Sequence, residues 1–463
     1  MSKLHELAQL GQSIWYDNIR RALLDHGEMR SLIEQGVTGV TSNPTIFEKA
    51  IAGSADYDQA LRQLVDKGQS VSQIYETLAL EDIGRTADLL RPIYNQTDGR
   101  DGYVSLEVSP TLAHDTAGTV AEARRLFATL GRPNVMIKVP ATPAGIPAIE
   151  TLIGEGINVN VTLIFSVSQY EAVSNAYLSG LEKWVAAGGD PGRVASVASF
   201  FISRVDSTID DALSSLITHH SSLELRGKIA IANAKVAYGR FRQLFSGERW
   251  ERLAAKGARA QRPLWASTGT KNPLYPDTLY LDTLIGPDTV NTVPPATLAA
   301  FLDHGAVAST LADGLDAALT QLDRLADLGI DLAAVTQRLQ DEGVASFAKS
   351  FESLMKSIAD KQARLLAGRP RQVANVGRYQ AAVDRALTEM RDQKIMGRIW
   401  AHDYTIWKPE PTEITNRLGW LHSPENMADS VTRLKAFVEE VTADGYTDAL
   451  LLGMGGSSLA PEL

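Results

Sequence analysis

The chain has 463 residues, 44% of them hydrophobic and 22% charged, with a net charge of −10 and no cysteine. These values are typical of a soluble globular protein, and the length predicts a large domain plus a second unit. The lack of cysteine excludes disulfides, thiolate zinc sites, iron–sulfur clusters and cysteine nucleophiles, and the acidic balance without a long basic run argues against nucleic acid as a partner.

The N-terminal residues, the lengths of the apolar stretches and the spacing of the histidines argue against secreted, membrane-spanning and metal-binding proteins. Residues 1–12 lack the apolar core of a signal peptide, and no stretch is long enough to span a bilayer, so we expect a cytoplasmic protein without membrane association. The eight histidines are scattered without His-Glu-x-x-His spacing. The neighbours His219 and His220 would not share a helix face. We therefore expect no metal site and no cofactor, while monomer and homodimer both stay open.

Eight short apolar runs alternate with longer segments that have helical periodicity. Eight strands alternating with helices over about 300 residues predict an α/β fold, a closed parallel (β/α)8 barrel of TIM type rather than an open doubly wound sheet. The predicted strands are Ile14–Asp17, Val37–Asn43, Tyr103–Val108, Asn134–Pro140, Ile157–Phe165, Val194–Phe201, Leu264–Thr268 and Thr289–Val293. The predicted helices between them include Ser70–Leu90, Thr116–Leu130, Ser168–Ala187 and Leu225–Phe245.

A second unit is predicted to follow the barrel. Further helices, which would complete a first domain of residues 1–366, are predicted at Pro295–Leu319, Leu332–Gln340 and Val344–Leu366. Residues 367–375 combine glycine, proline and clustered charge and predict a linker, and a new helix is expected at Val376–Gln393. Near the end, an apolar run leads into the glycine- and serine-rich loop 453–459, whose backbone N–H groups and hydroxyls suit a phosphate group.

The predicted fourth strand carries one lysine among apolar residues. Because side chains alternate along a strand, Lys138 faces away from the valines and the isoleucine beside it. Burial disfavours the ammonium ion, and a neutral amine is a nucleophile that condenses with carbonyls to form a Schiff base. The strand alone leaves two alternatives open, a lysine that snorkels at a strand end and half of a buried ion pair.

Polar side chains of six predicted strands are expected to face the barrel axis near the carboxyl ends, where catalytic residues of such barrels lie. One such residue is usually a satisfied polar group of the core, but seven at one depth are too costly to bury for stability alone. An amine, two carboxylates and a ring of hydrogen-bonding groups are what a Schiff-base enzyme requires. The seven are Asp17, Asn43, Glu107, Lys138, Asn160, Thr162 and Ser199.

Groups that bind anions are predicted near the same rim. Arg204 follows the sixth strand, Ser267 lies at the end of the seventh, and Lys271 comes after it. Taken singly, the two cations are more simply interpreted as solvated surface charges. The loops after the last strands of such barrels are a frequent phosphate site, however, so together the three residues predict a phosphorylated substrate.

Several motifs, in order along the chain, resemble those of the transaldolases. They are Thr41-Ser42-Asn43-Pro44-Thr45, Val104–Val108, Met136–Ala141, Asn158–Leu163 and Ser199–Arg204. The resemblance covers roughly residues 1–365. It implies a sugar-phosphate transferase of the pentose phosphate pathway, which converts sedoheptulose 7-phosphate and glyceraldehyde 3-phosphate to erythrose 4-phosphate and fructose 6-phosphate.

The resemblance also implies a role for each site residue. Lys138 would form the Schiff base, and Asp17 would be the acid and base of carbon–carbon cleavage and formation. The residues implied to act on a catalytic water are Glu107, Asn160 and Thr162. Those implied to hold substrate are Asn43 and Ser199 for hydroxyls and Arg204, Ser267 and Lys271 for phosphate. Many relatives have arginine where Lys271 stands, which is the main departure from the family pattern.

Two other functions stay open at this point. A fructose-6-phosphate aldolase of the same barrel would release free dihydroxyacetone, and such enzymes tend to carry glutamine in place of Glu107 and tyrosine in place of Phe201. This chain has the residues of the transferase at both positions, with Phe201 expected beside the imine. A non-catalytic sugar-phosphate-binding protein would need no buried lysine.

The C-terminal loop 453–459 resembles the first phosphate-binding strand and loop of glucose-6-phosphate isomerase. Fused transaldolase–isomerase chains form a family, so residues 376–463 are expected to be the N-terminal fragment of an isomerase-like domain that is interrupted at Leu463. Only one strand and loop of such a fold would be present. The chain is therefore expected to lack isomerase activity.

Overall fold

The computed structural model describes residues 2–216, 224–366, 376–428 and 430–446. The chain forms two compact units, Met1–Arg369 and Pro370–Leu463. The predicted linker 367–375 and the glycine- and serine-rich loop 453–459 lie outside the described residues.

The first unit is a closed barrel of eight parallel strands, which confirms the predicted fold. Its strands are β1 (Gln12–Tyr16), β2 (Gly39–Val40), β3 (Tyr103–Glu107), β4 (Val135–Pro140), β5 (Val159–Ile164), β6 (Ser196–Phe201), β7 (Arg262–Ala266) and β8 (Thr289–Val293). They follow one another around the barrel in chain order, and β1 closes against β8. The register places Lys138 of β4 between Glu107 of β3 and Asn160 of β5.

Sixteen α-helices are described in the first unit, in the ranges 2–216 and 224–366. They are α1 (Lys3–Gln9), α2 (Arg21–Asp25), α3 (Glu28–Glu34), α4 (Pro44–Phe47), α5 (Asp58–Asp66), α6 (Val71–Gln96), α7 (Thr116–Leu130), α8 (Gly145–Ile153), α9 (Val167–Ala186), α10 (Ser203–Ser215), α11 (Ile229–Leu244), α12 (Glu248–Ala254), α13 (Leu279–Thr283), α14 (Pro295–His304), α15 (Leu315–Asp327) and α16 (Leu332–Leu366). Capping boxes begin α6 at Ser70 and α9 at Ser166, where a serine hydroxyl and a glutamine side chain satisfy the first free N–H groups.

The second strand is shorter than predicted. The sequence favours Val37–Asn43, but only β2 pairs as a strand. Asn43 is the N-cap of α4, because its side-chain oxygen accepts a hydrogen bond of 2.9 Å from the Ile46 N–H. Pro44 occupies the first helical position, where its missing N–H costs nothing. The polar end of the predicted strand is therefore the start of a helix at the barrel rim.

The predicted helices after β8 are wrong in two places. The single helix expected at Pro295–Leu319 is two helices, α14 and α15, because α14 ends before Gly305 and α15 begins after Gly314, whose φ of 70° is left-handed. The two helices expected around residue 343 are one, α16.

Gly343 lies inside α16 without breaking it, although an interior glycine costs a helix about 1 kcal/mol relative to alanine. The reason is close packing on the barrel. A Cβ at Gly343 would lie 2.9 Å from the Leu163 Cδ2 atom. Helix propensity alone favours a helix end near this residue, but the helix continues because the glycine allows close contact with Leu163.

The described part of the second unit is helical, with α17 (Gln380–Asp392), α18 (Ile395–Trp400), α19 (Ser423–Ala428) and α20 (Val431–Ala443). The predicted helix Val376–Gln393 is thus a short 3-10 turn followed by α17. Large apolar side chains of this unit are exposed, including Trp420 at 63% and Phe437 at 61%. Of the helices in the described ranges of both units, none is long and apolar enough for a membrane crossing.

Candidate active site

The carboxyl ends of the barrel strands open into a cavity of about 540 Å³. The structure brings the predicted site residues together here. Those that line the cavity are Asp17, Asn43, Lys138, Thr162, Ser199, Phe201, Arg204, Ser267 and Lys271. Glu107 and Asn160 lie directly behind this lining, each in contact with one of its members. Because side chains alternate along each strand, the residues predicted from the sequence lie together at this end of the barrel.

Lys138 reaches the cavity floor as part of a buried ion pair. Its Nζ atom lies 3.3 Å from the Glu107 Oε2 atom, and the two side chains are 6% and 5% exposed. The same Nζ donates a hydrogen bond of 3.1 Å to the Ser42 carbonyl oxygen. Of the two alternatives left open by the strand, snorkelling does not occur and the ion pair does. The pair nevertheless borders an open cavity, so the amine is accessible to a ligand.

Glu107 is held in conditions that favour its neutral form. Burial raises the pKa of its carboxyl, and the nearby Lys138 charge only partly opposes that effect. Although Oε2 is close to the Lys138 ammonium, it has no hydrogen bond within the described residues, and neither has the buried Thr162 hydroxyl. A buried polar atom without a partner is costly, so the Thr162 hydroxyl is available to a substrate or a water, whereas the Glu107 oxygen keeps its ionic contact with Lys138.

Asn160 connects two strands behind the cavity wall. Its Nδ2 donates 2.9 Å to the Ser105 hydroxyl, and its Oδ1 accepts 2.7 Å from the Ser199 hydroxyl. Because Ser199 lines the cavity and its hydroxyl proton is donated to Asn160, its oxygen can still accept a hydrogen bond from a ligand hydroxyl. Asn160 itself does not line the cavity.

Asp17 follows β1 and faces the cavity, although protein atoms surround its carboxyl. Burial raises its pKa, opposed by a hydrogen bond of 2.6 Å from the Thr41 hydroxyl and by the charges of Lys138 and Lys271. Thr41 in turn shares a hydrogen bond of 2.5 Å with Thr292 at the end of β8. A carboxyl whose pKa is raised takes up a proton at a higher pH than an ordinary aspartate does, which suits an acid and base.

Cationic side chains also line the cavity. Arg204 lies in the first turn of α10, with its guanidinium 5.5 Å from the centre of the Phe201 ring, and burial lowers its pKa. Among the described residues it has no hydrogen-bond or ion-pair partner within 4 Å, and the Glu342 carboxylate acts on it only from a greater distance. The Ser267 hydroxyl is 2.9 Å from that of Ser203, which begins α10, and Lys271 is exposed beside them. A helix N-terminus, a free guanidinium and an ammonium together suit a phosphate.

Sequence reasoning missed several residues of the cavity. Arg20 and Lys49 add two more cations to the lining, so Asp17 is the single carboxylate among the described residues that line it. Thr292 was detectable as a polar residue at the end of a strand. Phe347 had no such signal, because it lies on α16, outside the barrel strands, within an ordinary helical pattern.

The site combines a buried amine, the Asp17 carboxyl on the cavity lining, the Glu107 carboxyl directly behind it, both with raised pKa values, and several cationic side chains. Such groups can form an imine with a ketone, move protons during bond cleavage and hold a phosphorylated substrate. In the described ranges, no group of three or more histidine, aspartate or glutamate side chains is arranged to hold a metal ion.

Comparison with known proteins gives one consistent match. Residues 14–358 match the family described as Transaldolase/Fructose-6-phosphate aldolase. The chain is 50% identical over 364 residues to a protein named Transaldolase from Thermobifida fusca, covering 78% of this chain and 99% of the relative. It is 49% identical over 369 residues to Transaldolase 2 of Nostoc punctiforme, covering 77% and 97%. It is also 49% identical over 355 residues to a protein named Transaldolase from Neisseria meningitidis, and the match covers 77% of this chain and 99% of the relative.

Proposed function

The chain belongs to the transaldolase/fructose-6-phosphate aldolase family, and we propose that it is a transaldolase of the pentose phosphate pathway. It would transfer a dihydroxyacetone unit from sedoheptulose 7-phosphate to glyceraldehyde 3-phosphate, giving erythrose 4-phosphate and fructose 6-phosphate. The observation that carries this proposal is the Lys138–Glu107 pair on the floor of a cation-lined cavity. A non-catalytic sugar-phosphate-binding protein has no use for a buried amine at that position.

The reaction begins with a proton transfer inside the ion pair. When the Lys138 ammonium gives a proton to the Glu107 carboxylate, both groups become neutral, which burial favours. The amine adds to the donor ketone carbon to form a carbinolamine. Glu107 then returns the proton to the carbinolamine hydroxyl, water leaves, and a protonated imine remains. The unpartnered Thr162 hydroxyl supports this step as a binding group for the leaving water.

Carbon–carbon cleavage follows from the imine. Asp17 takes the proton of the donor C4 hydroxyl, the C3–C4 bond breaks, and its electron pair moves toward the imine nitrogen to give an enamine. The aldose phosphate leaves, and the acceptor aldehyde takes its place. The enamine carbon attacks that aldehyde while Asp17 returns the proton, and water then hydrolyses the new imine. The raised pKa of Asp17 suits a group that must both take and give a proton.

The cavity walls would orient the sugar. Arg204, Ser267 and Lys271 would hold the phosphate, in keeping with the free guanidinium of Arg204 and the N-terminus of α10 beside it. The Ser199 lone pairs would accept a hydrogen bond from a sugar hydroxyl. The Asn43 oxygen is occupied as a helix cap, so its amide N–H groups would donate to a second hydroxyl.

The choice between transfer and simple aldol cleavage is predicted to depend on Phe201. This side chain lines the cavity and packs on Phe165, with ring centres 5.1 Å apart. In Phe201→Tyr, a hydroxyl beside the imine would bind a water that can protonate the enamine carbon before the acceptor arrives. The ratio of free dihydroxyacetone to transferred product should rise by at least about tenfold, or about 1.4 kcal/mol. Product analysis with fructose 6-phosphate and erythrose 4-phosphate measures it.

The control for this prediction is Phe201→Leu, which removes the ring without adding a hydroxyl. It should lower total turnover while leaving the partition on the side of transfer. An unchanged product ratio in Phe201→Tyr would mean that Phe201 is ordinary barrel packing.

For the second unit we propose the N-terminal part of a glucose-6-phosphate isomerase-like domain, on the resemblance of loop 453–459. The family match ends at residue 358, before this unit begins, and the large apolar side chains of Trp420 and Phe437 in its described part are exposed. A chain ending at residue 369 should keep dihydroxyacetone transfer within about twofold of the 463-residue chain, under about 0.5 kcal/mol. The longer chain should not convert glucose 6-phosphate to fructose 6-phosphate. Measurable isomerisation, or a large loss of transfer on truncation, would contradict this assignment.

A further inference from the structure

Helix α16 is fastened to the carboxyl ends of two barrel strands. The Gln340 side chain donates hydrogen bonds of 2.9 Å to the Ala141 carbonyl and 3.0 Å to the Leu163 carbonyl, at the ends of β4 and β5. Gly343, three residues on, packs against Leu163 so closely that a side chain there would clash. Leu163 has a φ of 60°, which is strained for a leucine, and lies where the β5–β6 register shifts. The helix face is thereby fixed relative to the barrel mouth.

The same helix face carries Phe347 into the cavity. Phe347 lies four residues after Gly343 and seven after Gln340, so the three share one side of the helix. Its side chain is 4% exposed and lines the cavity. The centre of its ring is 5.6 Å from the Lys138 Nζ atom. An element outside the barrel strands thus presents an aromatic ring to the reactive amine.

The ring matters most when the nitrogen carries a charge that Glu107 alone does not balance. In the imine mechanism, the nitrogen becomes a delocalised cation on a side chain that is 6% exposed at the floor of the cavity. An aromatic face within about 6 Å attracts a cation by an amount that grows when the pair is desolvated. The Lys138 side chain is 6% exposed, so its nitrogen is largely desolvated and meets that condition. The interaction persists when the ammonium is replaced by a protonated imine, which is more weakly hydrated.

We propose that Phe347 stabilises the protonated imine on Lys138 through its ring face, and so sets the fraction of enzyme that carries the donor covalently. This inference rests on the Schiff-base mechanism proposed above. It assigns to α16 a part in the chemistry, in addition to its packing on the barrel.

The test replaces Phe347 site-specifically by mono-, di- and trifluorinated phenylalanine. Fluorine withdraws electron density from the ring face with little change in size, so packing is nearly constant while the attraction for a cation falls. The initial rate of borohydride trapping on Lys138 at subsaturating fructose 6-phosphate reports the imine population. It should decrease stepwise along the series, by about threefold to thirtyfold at the trifluorinated residue. Phe347→Leu should decrease it at least as much.

Phe351 provides the matched control. It lies one turn further along α16, with its ring 5.4 Å from that of Tyr75 and outside the lining of the cavity. The same fluorinated residues at 351 should leave the trapping rate unchanged. If trapping is flat along the series at 347, or falls equally at 351, the inference is wrong and Phe347 serves packing alone. If the unmodified protein forms no adduct on Lys138, the Schiff-base mechanism itself fails, which is a separate result.

Discussion

Replacing Lys138 with alanine is expected to lower the turnover of dihydroxyacetone transfer by at least about 10³-fold, or about 4 kcal/mol. The covalent route is lost with the amine, and none of the other lysines among the cavity-lining described residues is held in a buried ion pair. In the unmodified protein, borohydride with fructose 6-phosphate should leave a stable adduct on Lys138 and on no other lysine. Mass spectrometry of proteolytic peptides locates the adduct.

Lys183 offers a matched control for this result. It pairs with Glu150 at 2.6 Å, closer than Lys138 pairs with Glu107, but its side chain is 61% exposed on α9. Lys183→Ala should therefore keep both turnover and the adduct, because a carboxylate partner without burial and a cavity does not make a reactive amine. Full activity in Lys138→Ala, or an adduct on another lysine, would overturn the mechanism. A binding protein without catalysis would give no adduct at all.

Glu107→Gln is the second substitution with a large expected effect. Glutamine keeps the size of the side chain but can neither take the proton from Lys138 nor return it to the carbinolamine hydroxyl. Turnover should fall by about 10² to 10⁴, the usual contribution of general acid–base catalysis. Binding of the ketose phosphate should change little, because the phosphate is proposed to bind Arg204, Ser267 and Lys271 and not Glu107. Steady-state kinetics with separate binding measurements distinguish the two effects.

The pH dependence gives this prediction a further readout. The pKa of Glu107 is raised by burial, so its carboxylate form is lost at a higher pH than that of a free glutamate as the pH falls. Activity that needs the carboxylate should decline on the acid side from that raised pKa, and the Gln variant should lack this contribution. Glu122→Gln is the control. Burial also raises the pKa of Glu122, but this residue lies on α7, where its carboxylate accepts a hydrogen bond from the Ser109 N–H. Turnover of Glu107→Gln within about threefold of the unmodified protein, roughly 0.6 kcal/mol, would mean that the glutamate is structural.

The bounds of the helices show which features local sequence signals can predict and which they cannot. The capping serines of α6 and α9 are readable in the sequence, and both helices begin within two residues of their predicted starts. Gly343 lies in the gap between the helices predicted at Leu332–Gln340 and Val344–Leu366; the cost of a glycine in a helix can be read from the sequence, whereas its contact with Leu163 cannot. A glycine weakens a helix through its own backbone freedom, but whether the helix continues through it depends on what packs against that position.

The sequence by itself determined the barrel and most of its site. Alternation along a strand is a local property, so the inward residues of β3, β4 and β5, including Glu107, Lys138 and Asn160, were identified without knowing any contact. The parallel order of the strands then required their carboxyl ends to meet at one rim.

Only the tertiary structure decided what surrounds those residues. The pairing of Lys138 with Glu107 depends on the register between β3 and β4, and a shift by one residue would turn one of the two side chains away. The ring of Phe347 comes from a helix about 200 residues further along the chain, whose periodic pattern says that one face is buried but not against what. Helical periodicity specifies a buried face, and the partner of that face is set by packing between elements distant in sequence.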